Sequence, residues 1–356
     1  MKRALVVALV SCGRLGFEAA CSGCDGHPQG PNNIAFVTST THVLTTFGSD
    51  LSGADAICNM RAKEGGLPGS YVAYASTTTV GARDRLAGAR GWVRVDGTPF
   101  VDQIADLIAG RVLSPLEIDE LGQRVPPLLV ATASSATGTL APSDACTDFT
   151  NPAQVAAAGL TTATASLWST SVGALPCSMS SPIYCFGVGL DNALAFTPAS
   201  GRLAFVTDDL WTPGGGLASA DAFCMTEAAN ARLSGSFRAL LSTSTATAGS
   251  RFSTTGSTWV RPDGVALASS ALAFMSVNLG TSLNVTQSKA YVSDEVWVGG
   301  GGGPLSTASR TCVDWTSTTD LAGGSVGNDA HVDSTMFSNG GELACSAGAR
   351  LYCLEP

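Results

Sequence analysis

Ala54-Asp55-Ala56-Ile57-Cys58 and Ala220-Asp221-Ala222-Phe223-Cys224 are one phrase written twice, 166 residues apart. In each copy the small and apolar positions (Ala54, Ile57, Cys58 and Ala62; Ala220, Phe223, Cys224 and Ala228) recur at the spacing of one helical face. Each helix is therefore expected to bury its cysteine against a sheet. The flanking sequence repeats in the same order. Ile34-Ala35-Phe36-Val37-Thr38 answers Leu203-Ala204-Phe205-Val206-Thr207, an apolar stretch that reads as an opening strand. Leu67-Pro68-Gly69-Ser70-Tyr71 answers Leu233-Ser234-Gly235-Ser236-Phe237. Trp92-Val93-Arg94-Val95-Asp96-Gly97 answers Trp259-Val260-Arg261-Pro262-Asp263-Gly264, a strand running into an Asp-Gly turn. Cys146-Thr147-Asp148-Phe149-Thr150 answers Cys312-Val313-Asp314-Trp315-Thr316, and Tyr184-Cys185 answers Tyr352-Cys353. Six blocks agreeing in order and spacing make an internal repeat. The expected organisation is a first domain over 32–187, a connector over 188–200 and a second domain over 201–356. The copies differ most between 98–128 and 265–295: the first carries helix-spaced Val101, Ile104, Ala105 and Ile108, while the second is Ser/Ala-rich and reads as loop.

The N-terminus reads as an export signal. Met1-Lys2-Arg3 is cationic, Ala4 to Val10 is apolar, and Leu9-Val10-Ser11-Cys12 resembles the lipobox of bacterial lipoproteins, whose cysteine is acylated and becomes the new N-terminus. Residues 1–11 are then a signal peptide, Cys12 the lipidation site, and 12–31 a Gly/Pro-rich tether. Gly13 rather than Asp after the cysteine implies sorting to the outer membrane. Eleven cysteines are an odd number. Setting Cys12 aside leaves Cys21 and Cys24 in the tether and two quartets: Cys58, Cys146, Cys177, Cys185 and Cys224, Cys312, Cys345, Cys353. Export makes disulfides the default for these. Cys21-x-x-Cys24 is read as a local disulfide, with a redox motif as the alternative.

The order of strand, Ala-Asp-x-x-Cys helix, Gly-x-Phe/Tyr strand, Cys-x-x-Trp and final Tyr-Cys resembles endostatin, which has a C-type-lectin-like fold. It is still more similar to the endostatin-like repeats of leptospiral surface lipoproteins. The matching residues include Phe36-Val37-Thr38-Ser39, Gly53-Ala54-Asp55-Ala56 and Cys58-Asn59. In the second copy they include Gly235-Ser236-Phe237-Arg238-Ala239-Leu240, Val296-Trp297-Val298-Gly299, Cys312-Val313-Asp314-Trp315-Thr316-Ser317 and Leu351-Tyr352-Cys353. About nine-tenths of the chain is covered. The resemblance implies an α+β fold of two tandem C-type-lectin-like domains. It also implies nested disulfides: Cys58–Cys185 around Cys146–Cys177, and Cys224–Cys353 around Cys312–Cys345. The strings with which calcium-dependent lectins hold their ion (Glu-Pro-Asn, Gln-Pro-Asp, Trp-Asn-Asp) do not occur. The histidine-rich segment of endostatin's zinc site and its heparin-binding arginine clusters have no counterpart either. No metal and no cofactor is expected.

Composition narrows the function classes. Charged residues are 13% of the chain and the net charge is −9. Residues 32–190 carry 8 basic and 12 acidic side chains, and residues 200–356 carry 8 and 13. Neither half is basic, so nucleic acid is not the expected partner. No apolar run approaches the 20 residues of a membrane-spanning helix, so membrane attachment is expected through the lipid alone. The three histidines, His27, His42 and His331, occupy no matched positions, which argues against a His-based catalytic triad. The glycine run Gly299–Gly303 lacks the Lys-Ser/Thr of a phosphate loop.

The expected function is a surface-anchored, non-catalytic, adhesin-like module that binds an extracellular protein or glycan. The alternatives are a structural envelope component without a discrete ligand and, more remotely, an enzyme on a lectin-like fold. Loops, which vary without unfolding a domain, are the expected contact surface. The candidates are Asp208, Asp209 and Trp211 in the loop ending at Gly214, Trp297 beside the glycine run, and Asp314. For Asp314 and its match Asp148 a loop-fixing hydrogen bond is the competing role. For Trp297 it is inward packing. Asp55 and Asp221 read as cap or dipole partners of their helices, and Trp92, Trp259 and Trp315 as core.

Overall fold

The computed structural model describes residues 31–356 except 143, 144, 172, 300 and 301. The signal, Cys12, Cys21, Cys24 and nearly all of the tether lie outside the described residues, as do Gly300 and Gly301 of the glycine run. The fold is mixed α+β and mostly sheet, with few helices and four disulfides.

The opening strand of each half lies inside a sheet because its residues are apolar on both faces. Asn33–Val37 pairs parallel with Trp92–Arg94 (Ile34 opposite Val93) and antiparallel with Tyr184–Gly187 (Phe36 opposite Cys185). Tyr71–Ala73 and Pro99–Val101 complete this five-stranded sheet at its edges. In the second half, Arg202–Val206 pairs parallel with Trp259–Val260 and antiparallel with Arg350–Leu354, Phe205 standing opposite Cys353. There the sheet also runs on through Glu295–Trp297, Gly323–Asn328 and Glu342–Ala344. In the first half the three strands Leu129–Ala131, Val155–Leu160 and Ala174–Pro176 form a separate sheet.

One long helix packs on each sheet. Ser52–Glu64 buries Ala54, Cys58 and Ala62, and Gly216–Asn230 buries Ala220, Cys224 and Ala228. The outer bridges Cys58–Cys185 and Cys224–Cys353 tie these helices to the strands beside them. The inner bridges are Cys146–Cys177 and Cys312–Cys345. Asp55 lies in the first turn of its helix, where a carboxylate suits the dipole, but it does not cap the helix. Its Oδ1 accepts the Ala73 N–H at 2.9 Å, and its Oδ2 pairs with Arg85 at 2.5 Å, while Arg85 also donates to the Ala73 carbonyl. Asp221, Arg251 and Ala239 repeat the clasp. A carboxylate and a guanidinium thus take up both backbone groups of a residue on a short strand, which would otherwise be open pairing edges.

Residues 146–149 and 312–315 are turns of left-handed helix. Four successive non-glycine residues have φ of 52, 48, 52 and 59° in the first, and 50, 55, 52 and 67° in the second. This conformation costs about 1–2 kcal/mol per residue, so strong local contacts must hold it. In each turn the first residue is in the inner disulfide and the last is a fully buried aromatic, Phe149 or Trp315. The third, Asp148 or Asp314, accepts from the backbone N–H and hydroxyl of Thr78 or Ser244.

Residues 265–295, read from sequence as loop, contain the helical turn Ala271–Met275, the counterpart of Ile104–Ile108 in the first half. Ser270 caps it, accepting the Ala273 N–H with its hydroxyl, and Phe274 and Met275 are buried. A Ser-Ala-Leu-Ala-Phe string is a competent helix start; its high Ser/Ala content hid it.

The connector 188–200 is bound to the first half as far as Leu194 and to the second half at Ala199, whose N–H donates to the Gly264 carbonyl at 2.8 Å. Val188 N–H donates to the Ser70 carbonyl, Asn33 Nδ2 to the Leu190 carbonyl, and Leu194 N–H to Asp102 Oδ1. The two halves also meet directly. Thr164 N–H donates to Ala330 O at 2.7 Å, Val332 N–H to Thr162 O at 2.9 Å, and Thr281 Oγ1 to Leu113 O at 2.6 Å. Residues Pro31–Pro356 accordingly form one compact unit. Among the described residues no helix is long and apolar enough to cross a membrane. Four disulfides are the mark of an oxidising compartment outside the cytoplasm.

Candidate functional site

The loop after strand Arg202–Val206 is the leading candidate, and its geometry divides the residues proposed there. Trp211 exchanges two backbone hydrogen bonds with Ala349, N–H to O at 2.8 Å and O from N–H at 3.1 Å. That pairing fixes which way successive side chains point. Asp209 and Leu210 face solvent, Leu210 with 58% of its surface exposed, and the Trp211 ring turns inward to 4% exposure. Trp211 is thus a core residue, not a ligand contact. Its indole lies 6.1 Å from the Trp315 ring, and its Nε1 donates to Ser219 Oγ at 3.3 Å. Trp297 is likewise a core residue: fully buried, 5.7 Å from Trp315, with Nε1 donating to the Trp211 carbonyl. Three indoles pack under the loop at separations typical of favourable aromatic pairs.

Asp314 also leaves the list of contacts. Its oxygens are taken by Ser244 N–H, Ser244 Oγ and Thr311 Oγ1. The Ser244 bonds hold its carboxyl below the usual carboxylate range, because they favour the charged form. It braces the left-handed turn.

Asp208 and Asp209 remain. They line a cleft of about 480 Å³ with Leu210, Asp294, Glu295, Leu343, Gly348, Ala349 and Arg350. Four carboxylates face one guanidinium there, and that guanidinium is committed. Arg350 Nε pairs with Asp294 Oδ2 at 2.7 Å, and Nη1 donates to the carbonyls of Thr207 and Asp208. The cleft therefore presents negative charge toward solvent.

Sequence reading missed the group that shapes this cleft. Glu227, on the long helix of the second half, is 2% exposed. Its Oε2 accepts the backbone N–H groups of Asp208 and Asp209 at 2.8 and 3.1 Å and Gln287 Nε2 at 2.6 Å. The signal was a lone glutamate on the face carrying Ala220, Cys224 and Ala228. The first half holds the matching loop with its carboxylate moved off the helix: Arg61 stands on the helix, and Glu120 accepts from Ser39 N–H, Ser39 Oγ and Arg61. Under the cleft, Asp329 is wholly buried, its Oδ1 accepting Asp294 N–H at 2.9 Å while Oδ2 has no partner. Burial pushes its pKa up to about 8, so it is protonated at neutral pH. Among the described residues no three of His, Cys, Asp and Glu converge as metal ligands.

The chain matches no protein-family model and no curated relative. The functional reading therefore rests on the cleft, the bridges and the sequence alone.

Proposed function

We propose that the protein is an exported, surface-anchored lipoprotein of two tandem C-type-lectin-like, endostatin-like domains, acting as a non-catalytic binding module for an extracellular protein or glycan. The duplication is supported by shared pairings: a parallel and an antiparallel partner for each opening strand, the two Asp–Arg clasps, and the two left-handed turns. Nested bridges of 127 and 31 residues in one half, and of 129 and 33 in the other, support the lectin-like reading.

The observation that carries the binding function is the braced acidic cleft. Its loop is held by a buried carboxylate and by Arg350, so the backbone of Asp208, Asp209 and Leu210 is already ordered before binding and only side-chain freedom is left to lose. Carboxylates around an exposed leucine favour a basic protein surface with an apolar contact over a neutral glycan. The test is a binding screen of the purified protein against matrix proteins, glycans and envelope polymers, repeated with Asp209→Ala/Leu210→Ala. A ligand whose binding weakens at least tenfold in the double variant and falls with added salt supports the proposal. Binding that is indifferent to both overturns it.

A further inference from the structure

The seam between the two halves holds a second site, independent of the acidic cleft. A cavity of about 340 Å³ opens there, walled by Pro99 and Leu113 of the first half, Val265 and Ala266 of the second and Phe196 of the connector. All five are only half-buried, so their apolar surface is within reach of a ligand. Protein interiors keep few voids larger than a water molecule, and a dry cavity of about 150 Å³ already takes up a benzene ring. This one is more than twice that size, at the kind of junction where small-molecule sites concentrate.

The connector crosses the cavity as a strap. Leu194 N–H donates to Asp102 Oδ1 at 2.7 Å at one end, and Ala199 N–H to the Gly264 carbonyl at 2.8 Å at the other. Between these anchors, residues 195–198 make no backbone hydrogen bond among the described residues. Ala195 and Thr197 are exposed while Phe196 between them is half-buried, so its ring turns into the cavity. The far end is seated closely. Gly264 has a φ of 91°, and a Cβ there would lie 2.5 Å from Pro198 Cβ, whereas its first-half match, Gly97, has open space at that position.

Charge selects the occupant. Arg94 is the one charged residue lining the cavity, and it is 6% exposed. Its Nε and Nη2 donate to the Asp96 carboxylate at 3.2 and 2.6 Å, and its Nη1 to the Pro115 carbonyl at 3.0 Å. An ion entering here would lose its hydration and gain no partner. The exposed residues Thr197 and Ser269 supply hydroxyls among the lining residues.

We propose that this cavity binds a neutral, compact apolar molecule of one or two rings, with its body against Phe196, Leu113 and Val265. Filling it takes half-exposed apolar side chains out of water while leaving every hydrogen bond of Arg94 in place. The strap, free of backbone bonds over residues 195–198, is the part that gives way to admit the ligand.

The experiment is an NMR titration of the full chain with indole, following the backbone amides of Leu113, Phe196 and Val265. Indole-3-carboxylate at equal concentration is the control, since it carries the same rings and a charge. Saturable shifts with indole, and binding at least tenfold weaker with the carboxylate, are expected. Phe196→Ala, which removes one wall, should weaken indole binding at least fivefold. Ala266→Leu, which fills the cavity, should abolish it, with urea unfolding showing that the variant folds; where it does not fold, Phe196→Ala decides alone. A blocked Ala-Trp-Ala tripeptide tests the other occupant. Binding as tight as that of indole would assign the cavity to a side chain of a partner protein and overturn the small-molecule reading. The proposal is also overturned if indole gives no saturable shift, if the carboxylate binds equally well, or if affinity is unchanged in Phe196→Ala.

Discussion

Replacing Asp329 by asparagine should abolish a pH dependence of stability that runs opposite to the usual one for a carboxylate. Asp329 is wholly inside the second half, and burial holds its folded pKa at about 8 against 3.8 for the unfolded chain. Between those values the folded protein keeps a proton that the unfolded chain releases, so stability falls as pH rises through that window. The slope is about 1.4 kcal/mol per unit. Going from pH 5 to pH 7 should therefore cost the wild type about 3 kcal/mol through this one group. The amide in Asp329→Asn mimics the protonated acid, keeps an oxygen for the Asp294 N–H, and has nothing to titrate. Glu117, which burial also raises, contributes a slope of the same sign, but it is common to both proteins and cancels in the difference. Urea unfolding of wild type and Asp329→Asn at pH 5, 6 and 7 reads the effect directly. The variant should gain about 3 kcal/mol on the wild type between pH 5 and pH 7. Parallel pH profiles, whatever their offset, would show that Asp329 is ionised in the folded protein and would refute the reasoning.

Other consequences are open to measurement. Trp211→Ala should lower stability by about 3–5 kcal/mol in denaturant unfolding, as large-to-small core substitutions do; a thermal transition within a degree of wild type would put the indole back at the surface. Glu227→Ala strands the Asp209 N–H and leaves the Asp208 N–H only its 3.2 Å bond to Gln287 Oε1; it should cost about 3 kcal/mol and speed amide exchange across residues 207–212. Slow exchange there would mean that the loop does not depend on the carboxylate. Removing the inner bridge with Cys312→Ala/Cys345→Ala opens a 33-residue loop and should cost about 4 kcal/mol by the chain-entropy estimate. It should also loosen the left-handed turn, seen as faster exchange at Asp314 and Trp315.

Features set by short-range pattern were legible in the sequence. The helices followed from Ala54, Cys58 and Ala62 and their matches, because burial at helical spacing is a local signal. The opening strands followed from continuous apolar runs. What escaped reading depends on partners far along the chain. The direction of Trp211 is set by pairing with Ala349, and no periodicity inside an eight-residue loop encodes that. Asp55 looked like a cap because its true partner, Arg85, lies 30 residues on, past a strand and a loop. Glu227 was visible only as an acidic residue on a buried face, with the donors it serves about 20 residues upstream. In the candidate site, Asp208 and Asp209 sit where loop reasoning put them. Trp297 and Asp314 took the roles that the sequence set against ligand contact, inward packing and a loop-fixing hydrogen bond; the left-handed turn that Asp314 braces is what no sequence rule anticipates.

The most direct test of a binding module built on the acidic cleft is the affinity of the purified protein for a basic ligand from the matrix screen, measured in wild type and in Asp209→Ala/Leu210→Ala by surface plasmon resonance at two salt concentrations. The account predicts saturable binding to wild type, weakened at least tenfold in the double variant with the unfolding transition unchanged, and weakened further at higher salt. Equal affinity for both proteins, independent of salt, would contradict it.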